Sequence, residues 1–247
     1  MIEVTRNERV AHLAIGVPPV NVLDTAAMNA LTEQLRVCAG DESLAAVVIE
    51  GQGKCFSAGA SVAEHRPPQN AGMVAALLDA CTALADLPMP AVALVHGACL
   101  GGATELISFC DFVVADPSAK LGQPEIKLAF FPPVAVYQLP RLTGLQNAAW
   151  AVLSGETLDA ERSLALGLVQ QILPKDDWGR IDALFNGASA PVLRLTKAAL
   201  REGSGGYDRK RLEAIKRLFL EDLYKLAVVE EGIKSFEARR KPDWRHR

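Results

Sequence analysis

The chain has 247 residues, 50% of them hydrophobic and 22% charged, which suits a folded protein with one sizeable core and excludes a disordered chain. Its 26 basic and 29 acidic side chains leave a net charge of −3, so it lacks the cationic field that holds nucleic acid. No apolar run exceeds strand length and no secretory leader is visible, so the expectation is a cytoplasmic protein without a membrane span.

The cysteines, Cys38, Cys55, Cys81, Cys99 and Cys110, are odd in number, without CxxC spacing or a Cys/His cluster suited to zinc. They read as reduced, small hydrophobic residues, and no metal site is expected. The basic run from Arg239-Arg240-Lys241 to Arg245-His246-Arg247 reads as solvated surface.

In chain order, Val10–Ile15 alternates as a strand does. Asp24 or Thr25 then caps a helix over Ala26–Cys38. Leu44–Ile49 is a short apolar run suited to a buried strand, and Gln52–Ala60 is a glycine-containing loop. Asn70–Leu87 has helical periodicity and stops before Pro88 and Pro90. Ala91–Val95 and Phe112–Ala115 are further buried strands. This alternation predicts an α/β protein with a buried sheet. After about Gln138 the pattern turns helical, over 147–154, 160–166, 191–201 and 209–240, with one short strand at 169–173.

Three segments carry candidate chemistry. Cys55-Phe-Ser-Ala-Gly-Ala60 brings small residues into a loop where a backbone N–H at Ala60 can meet a ligand oxygen; a plain turn has the same composition. Gly97-Ala-Cys-Leu-Gly-Gly-Ala-Thr-Glu105 runs from a buried strand through paired glycines into a helix start. Unpaired N–H groups there suit an oxyanion, or the glycines simply allow tight packing. Leu121-Gly-Gln-Pro-Glu125 adds a second carboxylate. Glu105 stands among apolar neighbours, where a carboxylate must be paired, hydrogen-bonded or protonated. Two carboxylates in shifted environments act as acid and base; a buried ion pair and a helix-start acid are the structural alternatives. His96 is a candidate support for the glycine pair or a core histidine, and nothing marks Cys55 or Cys99 as activated.

Together these segments resemble the crotonase (enoyl-CoA hydratase/isomerase) superfamily. The resemblance rests on F-S-A-G-A at 56–60, H-G-A-C-L-G-G-A-T-E at 96–105, C-D at 110–111 and G-Q-P-E at 122–125, in order and spacing. Pro19-Val-Asn-Val-Leu23, Leu153-Ser-Gly155 with Ala165-Leu-Gly-Leu-Val169, and Phe236 to Trp244 extend it over nearly the whole chain. The resemblance implies a spiral of repeated ββα turns over residues 1–190 with the acyl-CoA site, and a helical region at 191–247 used in trimer assembly. Trimers pair into hexamers in that family. It further implies a CoA thioester substrate and no other cofactor. The backbone N–H groups of Ala60 and Gly102 would form an oxyanion hole, Ala58 and Ala60 would contact CoA, Glu105 would orient and deprotonate water, and Glu125 would move the other proton.

Two departures stand out. Ser61 replaces the usual acid of the A-G-A-D loop. The segment after G-Q-P-E reads Ile126-Lys-Leu-Ala-Phe-Phe-Pro-Pro-Val-Ala135, with aromatics and prolines in place of a glycine-rich turn. Phe130, Phe131 and Pro132 are therefore expected to shape the acyl pocket, with ordinary core packing as the alternative. This variant looks most like the cyclohexa-1,5-diene-1-carbonyl-CoA hydratases. A general enoyl-CoA hydratase, a double-bond isomerase and a non-catalytic acyl-CoA-binding assembly subunit are the competing readings.

Overall fold

The computed structural model describes residues 1–226 and 228–244. Its main sheet has six strands, in the order β1 (Ile2–Asn7), β2 (Val10–Ile15), β3 (Ala46–Gly51), β4 (Ala91–Val95), β6 (Phe112–Ala115) and β9 (Gln171–Ile172). β1 and β2 form an antiparallel hairpin; every later pairing is parallel. Parallel strands are covered on both faces, which explains the unbroken apolar runs. All five residues of β4 are buried, as are Ala46–Ile49 of β3.

A second, smaller sheet orders β5 (Ala98–Leu100), β7 (Lys120–Gly122) and β8 (Thr157–Asp159). Two isolated parallel bridges, Ser57 to Cys99 and Leu23 to Ala60, prolong this layer across the loops. Each turn of the chain thus gives a strand to the large sheet, a short strand or bridge to the second layer, and then a helix. Helices α1 (Thr25–Gly40) and α2 (Gln69–Asp86) follow the first turns, and the short α3 (Gly102–Ile107) follows β5. This is the ββα spiral that the sequence implied.

Asp24 is the cap of α1: its side chain accepts from the Ala27 N–H at 2.7 Å. The expected strand at 44–49 lies two residues later, at Ala46–Gly51. β1 was not among the expected strands: its apolar alternation is short, Ile2 and Val4 only, before the polar Thr5-Arg-Asn7, and all its residues but Ile2 are exposed. The remaining helices are α4 (Ala135–Thr143), α5 (Leu145–Ser154), α6 (Ala160–Ala165), α7 (Gly179–Asn186), α8 (Ala190–Gly203), α9 (Arg209–Arg217) and α10 (Val228–Glu237).

The long helical signal over 209–240 is not one helix. After α9 the chain forms a π-helical turn at Leu218–Asp222 and a 3-10 turn at Leu223–Lys225 before α10. Phe219, 1% exposed, sits in the π turn, and its ring packs on Phe130 and Phe131. Burying that ring outweighs the regular hydrogen bonding of a straight helix. Of the basic run, Arg240 pairs with Glu231, while Arg245, His246 and Arg247 lie outside the described residues.

Candidate active site

The site grows from three neighbouring stretches of chain. Asn21 fixes the first: its Nδ2 donates to the carbonyls of Gln52 (2.8 Å), Cys55 (2.9 Å) and Phe56 (3.2 Å), while its Oδ1 accepts from the Val17 N–H (3.0 Å). The loop so held then bonds alongside β5, Ser57 N–H donating to Ala98 O and Leu100 N–H to Ser57 O. Gly59 has φ +101°, and a Cβ there would stand 2.5 Å from the Leu100 carbonyl oxygen, so only glycine fits. The Ala58 N–H is engaged by the Val20 carbonyl at 2.9 Å.

These contacts bring Ala60 against Gly102. A Cβ on Gly102 would lie 3.3 Å from the Ala60 nitrogen. Among the described residues neither the Ala60 nor the Gly102 N–H has a hydrogen-bond partner. Such orphan donors are rare in a folded chain unless a ligand or solvent meets them. Gly101, at φ +53°, makes the approach possible, and its Cβ position lies 2.6 Å from Glu125 Oε1.

Glu105, on α3, is 2% exposed. Its Oε1 accepts from the N–H groups of Val134 (2.7 Å) and Ala135 (2.9 Å) at the start of α4. Its other oxygen has no protein partner and is not sealed by its neighbours. Burial raises its pKa from 4.5 to about 7, opposed by the two N–H bonds. Glu125 is driven well above the usual carboxylate range, first by burial and then by the charge on Glu105. The pair therefore releases its first proton from the site that the two N–H groups favour, leaving Glu105 ionised and Glu125 protonated. Gln123, 1% exposed, adds a support: with its amide nitrogen toward Glu125, the distances to the two carboxylate oxygens are 3.1 and 3.2 Å.

Both glutamates, Ala58, Ala60 and Gly102 border one cavity of about 420 Å³. Most of its remaining wall is apolar, with Leu77, Phe130, Phe131, Phe219 and Phe236 among its residues, and His65 and Lys127 also border it. Of the three residues expected to shape the acyl pocket, Phe130 and Phe131 border this cavity, but of the two prolines that follow them it is Pro133, not Pro132, that lines it. Pro132 is buried away from it and its carbonyl accepts from Val136 N–H, so it serves the start of α4. Phe219 was not singled out in the sequence, and Phe236 only as the start of a block of the resemblance, because nothing in an amphipathic C-terminal helix says which core it will meet.

His96 is a core histidine: its Nε2 lies 3.0 Å from the Gly53 carbonyl and its ring meets Trp178 edge-on at 5.8 Å. Burial pushes the Cys55 thiol up and the Cys99 thiol to about 12, so neither supplies a thiolate.

The profile of the enoyl-CoA hydratase/isomerase family matches residues 5–247. A cyclohexa-1,5-dienecarbonyl-CoA hydratase of Thauera aromatica is 31% identical over 245 residues, spanning 98% of this chain and 95% of the relative. A 2,3-dehydroadipyl-CoA hydratase of Escherichia coli is 32% identical over 257 residues, spanning 99% and 98%. The crystal structure of an enoyl-CoA hydratase from Mycobacterium avium subsp. paratuberculosis superposes with a TM-score of 0.85 at 25% identity, over 98% of both chains. The fold is thus that of the crotonase superfamily. The chain belongs to its enoyl-CoA hydratase/isomerase family and is an enzyme of the hydratase type.

Proposed function

We propose that this enzyme adds water to a cyclic dienoyl-CoA, such as cyclohexa-1,5-diene-1-carbonyl-CoA, or removes it in reverse. The observation that carries the reading is the pair of unpartnered N–H groups, Ala60 and Gly102, on the same cavity as the coupled glutamates. The thioester oxygen accepts from both N–H groups. The ionised Glu105 takes a proton from water as the water oxygen bonds to an unsaturated carbon conjugated with the thioester. Negative charge collects on the thioester oxygen, where fixed donors stabilise it most. Glu125 then gives its proton to the α or vinylogous carbon, and the proton on Glu105 restores the pair. The step uses only the chain's own groups and no further cofactor.

Ala58 and Ala60 border the cavity where the CoA arm would enter, Ala58 through its carbonyl because its N–H is engaged. The aromatic wall around Phe130 and Phe131 supports a flat ring over a short linear chain. A division near residue 190 fits assembly, the later helices building a trimer or a dimer of trimers. Leu195 and Leu200, 71% and 69% exposed on α8, favour that reading. We assign the enzyme to the cytoplasm; among the described residues no helix is long and apolar enough to cross a membrane.

Purified protein given crotonyl-CoA and cyclohexa-1,5-diene-1-carbonyl-CoA side by side tests this, with products read by absorbance and mass. Gain of one water on the diene at the higher kcat/KM supports the reading. Faster hydration of crotonyl-CoA makes it a general enoyl-CoA hydratase, and an isomeric product without added water makes it an isomerase.

A further inference from the structure

His65 borders the same cavity and has no part in the water chemistry above. It ends the short 3-10 turn Ala63–His65, on the chain that leaves Ala60. Its Nδ1 lies 2.8 Å from the Ser61 carbonyl oxygen. A carbonyl only accepts, so Nδ1 carries the proton and Nε2 of the neutral ring is an acceptor. The ring is held on Phe130, with centroids 4.7 Å apart, and on Phe219 at 6.5 Å. The residue's own carbonyl accepts from the Tyr224 hydroxyl. These contacts fix where Nε2 stands.

Nε2 has no protein partner, yet it is not among the buried atoms sealed without one. It therefore keeps some access, on a residue that borders the cavity. Burial lowers the pKa of the ring; the charge that raises it is that of Glu64, and neither Glu105 nor Glu125 contributes. The imidazole is neutral near pH 7 and stands apart from the pair that handles water.

The surrounding wall includes Met73, Val74, Leu77, Phe130 and Phe219. Glu105, Glu125 and Lys127 border the same cavity, but among the described residues none of them bonds Nε2. A bare acceptor beside the apolar side chains of this wall is costly, and an occupant that brings a donor removes that cost. A hydroxyl is neutral and small, so it gives up less hydration there than a cation would.

We propose that His65 accepts a hydrogen bond from a hydroxyl on the acyl group, remote from the carbon that receives water, so that the enzyme selects hydroxylated acyl-CoAs over their unsubstituted analogues. The inference rests on the acyl-CoA reading above and narrows its substrate class to cyclic dienoyl-CoAs that carry a hydroxyl, of which cyclohexa-1,5-diene-1-carbonyl-CoA is the unsubstituted parent. His65 is in this sense a specificity residue.

The test uses three saturated thioesters that cannot be hydrated: cyclohexanecarbonyl-CoA and its 3- and 4-hydroxy derivatives. Their Kd values for the full-length protein are measured by calorimetry. One hydroxylated thioester should bind roughly three- to tenfold more tightly than the plain one. That ratio should fall to about one in His65→Phe and recover in part in His65→Gln, whose amide oxygen can accept. Circular dichroism and thermal unfolding establish that the variants fold; should His65→Phe not fold, the wild-type ratio and His65→Gln still decide. Equal or weaker binding of both hydroxylated thioesters by the wild type overturns the proposal, as does an advantage that survives His65→Phe. Failure of all three to bind overturns the acyl-CoA reading itself.

Discussion

The carboxylate end of the cavity is built from residues 58–60, 101–105 and 123–125, three short stretches set side by side by β5, β7 and the bridge from Ser57 to Cys99. The aromatic end draws on positions scattered from Met73 to Phe236. At the first end, backbone N–H groups and buried carboxylates must keep fixed directions, and glycines at positive φ leave no tolerance. At the second, the requirement is volume and an apolar surface, which many side chains meet. One end is therefore constrained atom by atom, and the other by shape. Substitutions at the two should fail differently.

The largest effect is expected at the glutamates. Glu105→Gln and Glu125→Gln each remove a proton-transfer group, so kcat should fall by roughly a thousandfold or more while the protein stays folded. Steady-state rates near wild type in both variants would break the assignment of chemistry to this end. Gly101→Ala comes next. Its φ of +53° and a Cβ 2.6 Å from Glu125 Oε1 force backbone strain and displace the acid. About a hundredfold loss of kcat, with KM little changed, is expected; a normal kcat would show that Glu125 tolerates displacement.

At the aromatic end, Phe219→Ala should cost about 3–5 kcal/mol of stability and act on KM and acyl preference more than on kcat. Comparing kcat/KM for cyclic and linear thioesters checks this, and an unchanged preference would remove Phe219 from the acyl wall. A pH experiment probes the same contrast. Folded Glu105 keeps its proton up to about pH 7, whereas its ordinary pKa is 4.5, so the native state binds more protons between those values. Stability must then decline as pH rises through that window. Glu105→Gln, which cannot ionise, should raise Tm by roughly 5 °C at pH 8 and by less near pH 4. In the wild type, kcat/KM should climb as pH passes about 7, because the base must ionise. The smallest effect belongs to Arg66, which ties the loop carrying His65 to α10 through Glu230 and Glu237, at 2.8 and 2.9 Å. These are exposed pairs, which solvent screens, so Arg66→Met should lower stability only slightly and raise KM only a few-fold. A large loss of kcat would mean that α10 does more than wall the cavity.

The carboxylate end of the cavity was legible because its requirements are local: small residues where backbone approaches backbone, paired glycines before a helix, and two glutamates in apolar or proline-fixed settings. Their order along the chain carried the family. Gln123 lay within the same run, but only its placement beneath Glu125 reveals a use. Local sequence also determined the buried strands and narrowed the cap of α1 to Asp24 or Thr25, since periodicity and capping depend on near neighbours. Other features depended on which distant segments meet. The register of Pro133 instead of Pro132, the break of the C-terminal helix at Leu218–Asp222, the aromatic wall completed by Phe219 and Phe236, and the free Nε2 of His65 all follow from packing between residues far apart in sequence. The resemblance gave the two glutamates separate roles, and the tertiary structure supplies a reason. In the sequence Glu105 stands among apolar neighbours and Glu125 follows a proline, but only the tertiary structure sets the N–H groups of Val134 and Ala135 against Glu105, which favours its ionised form.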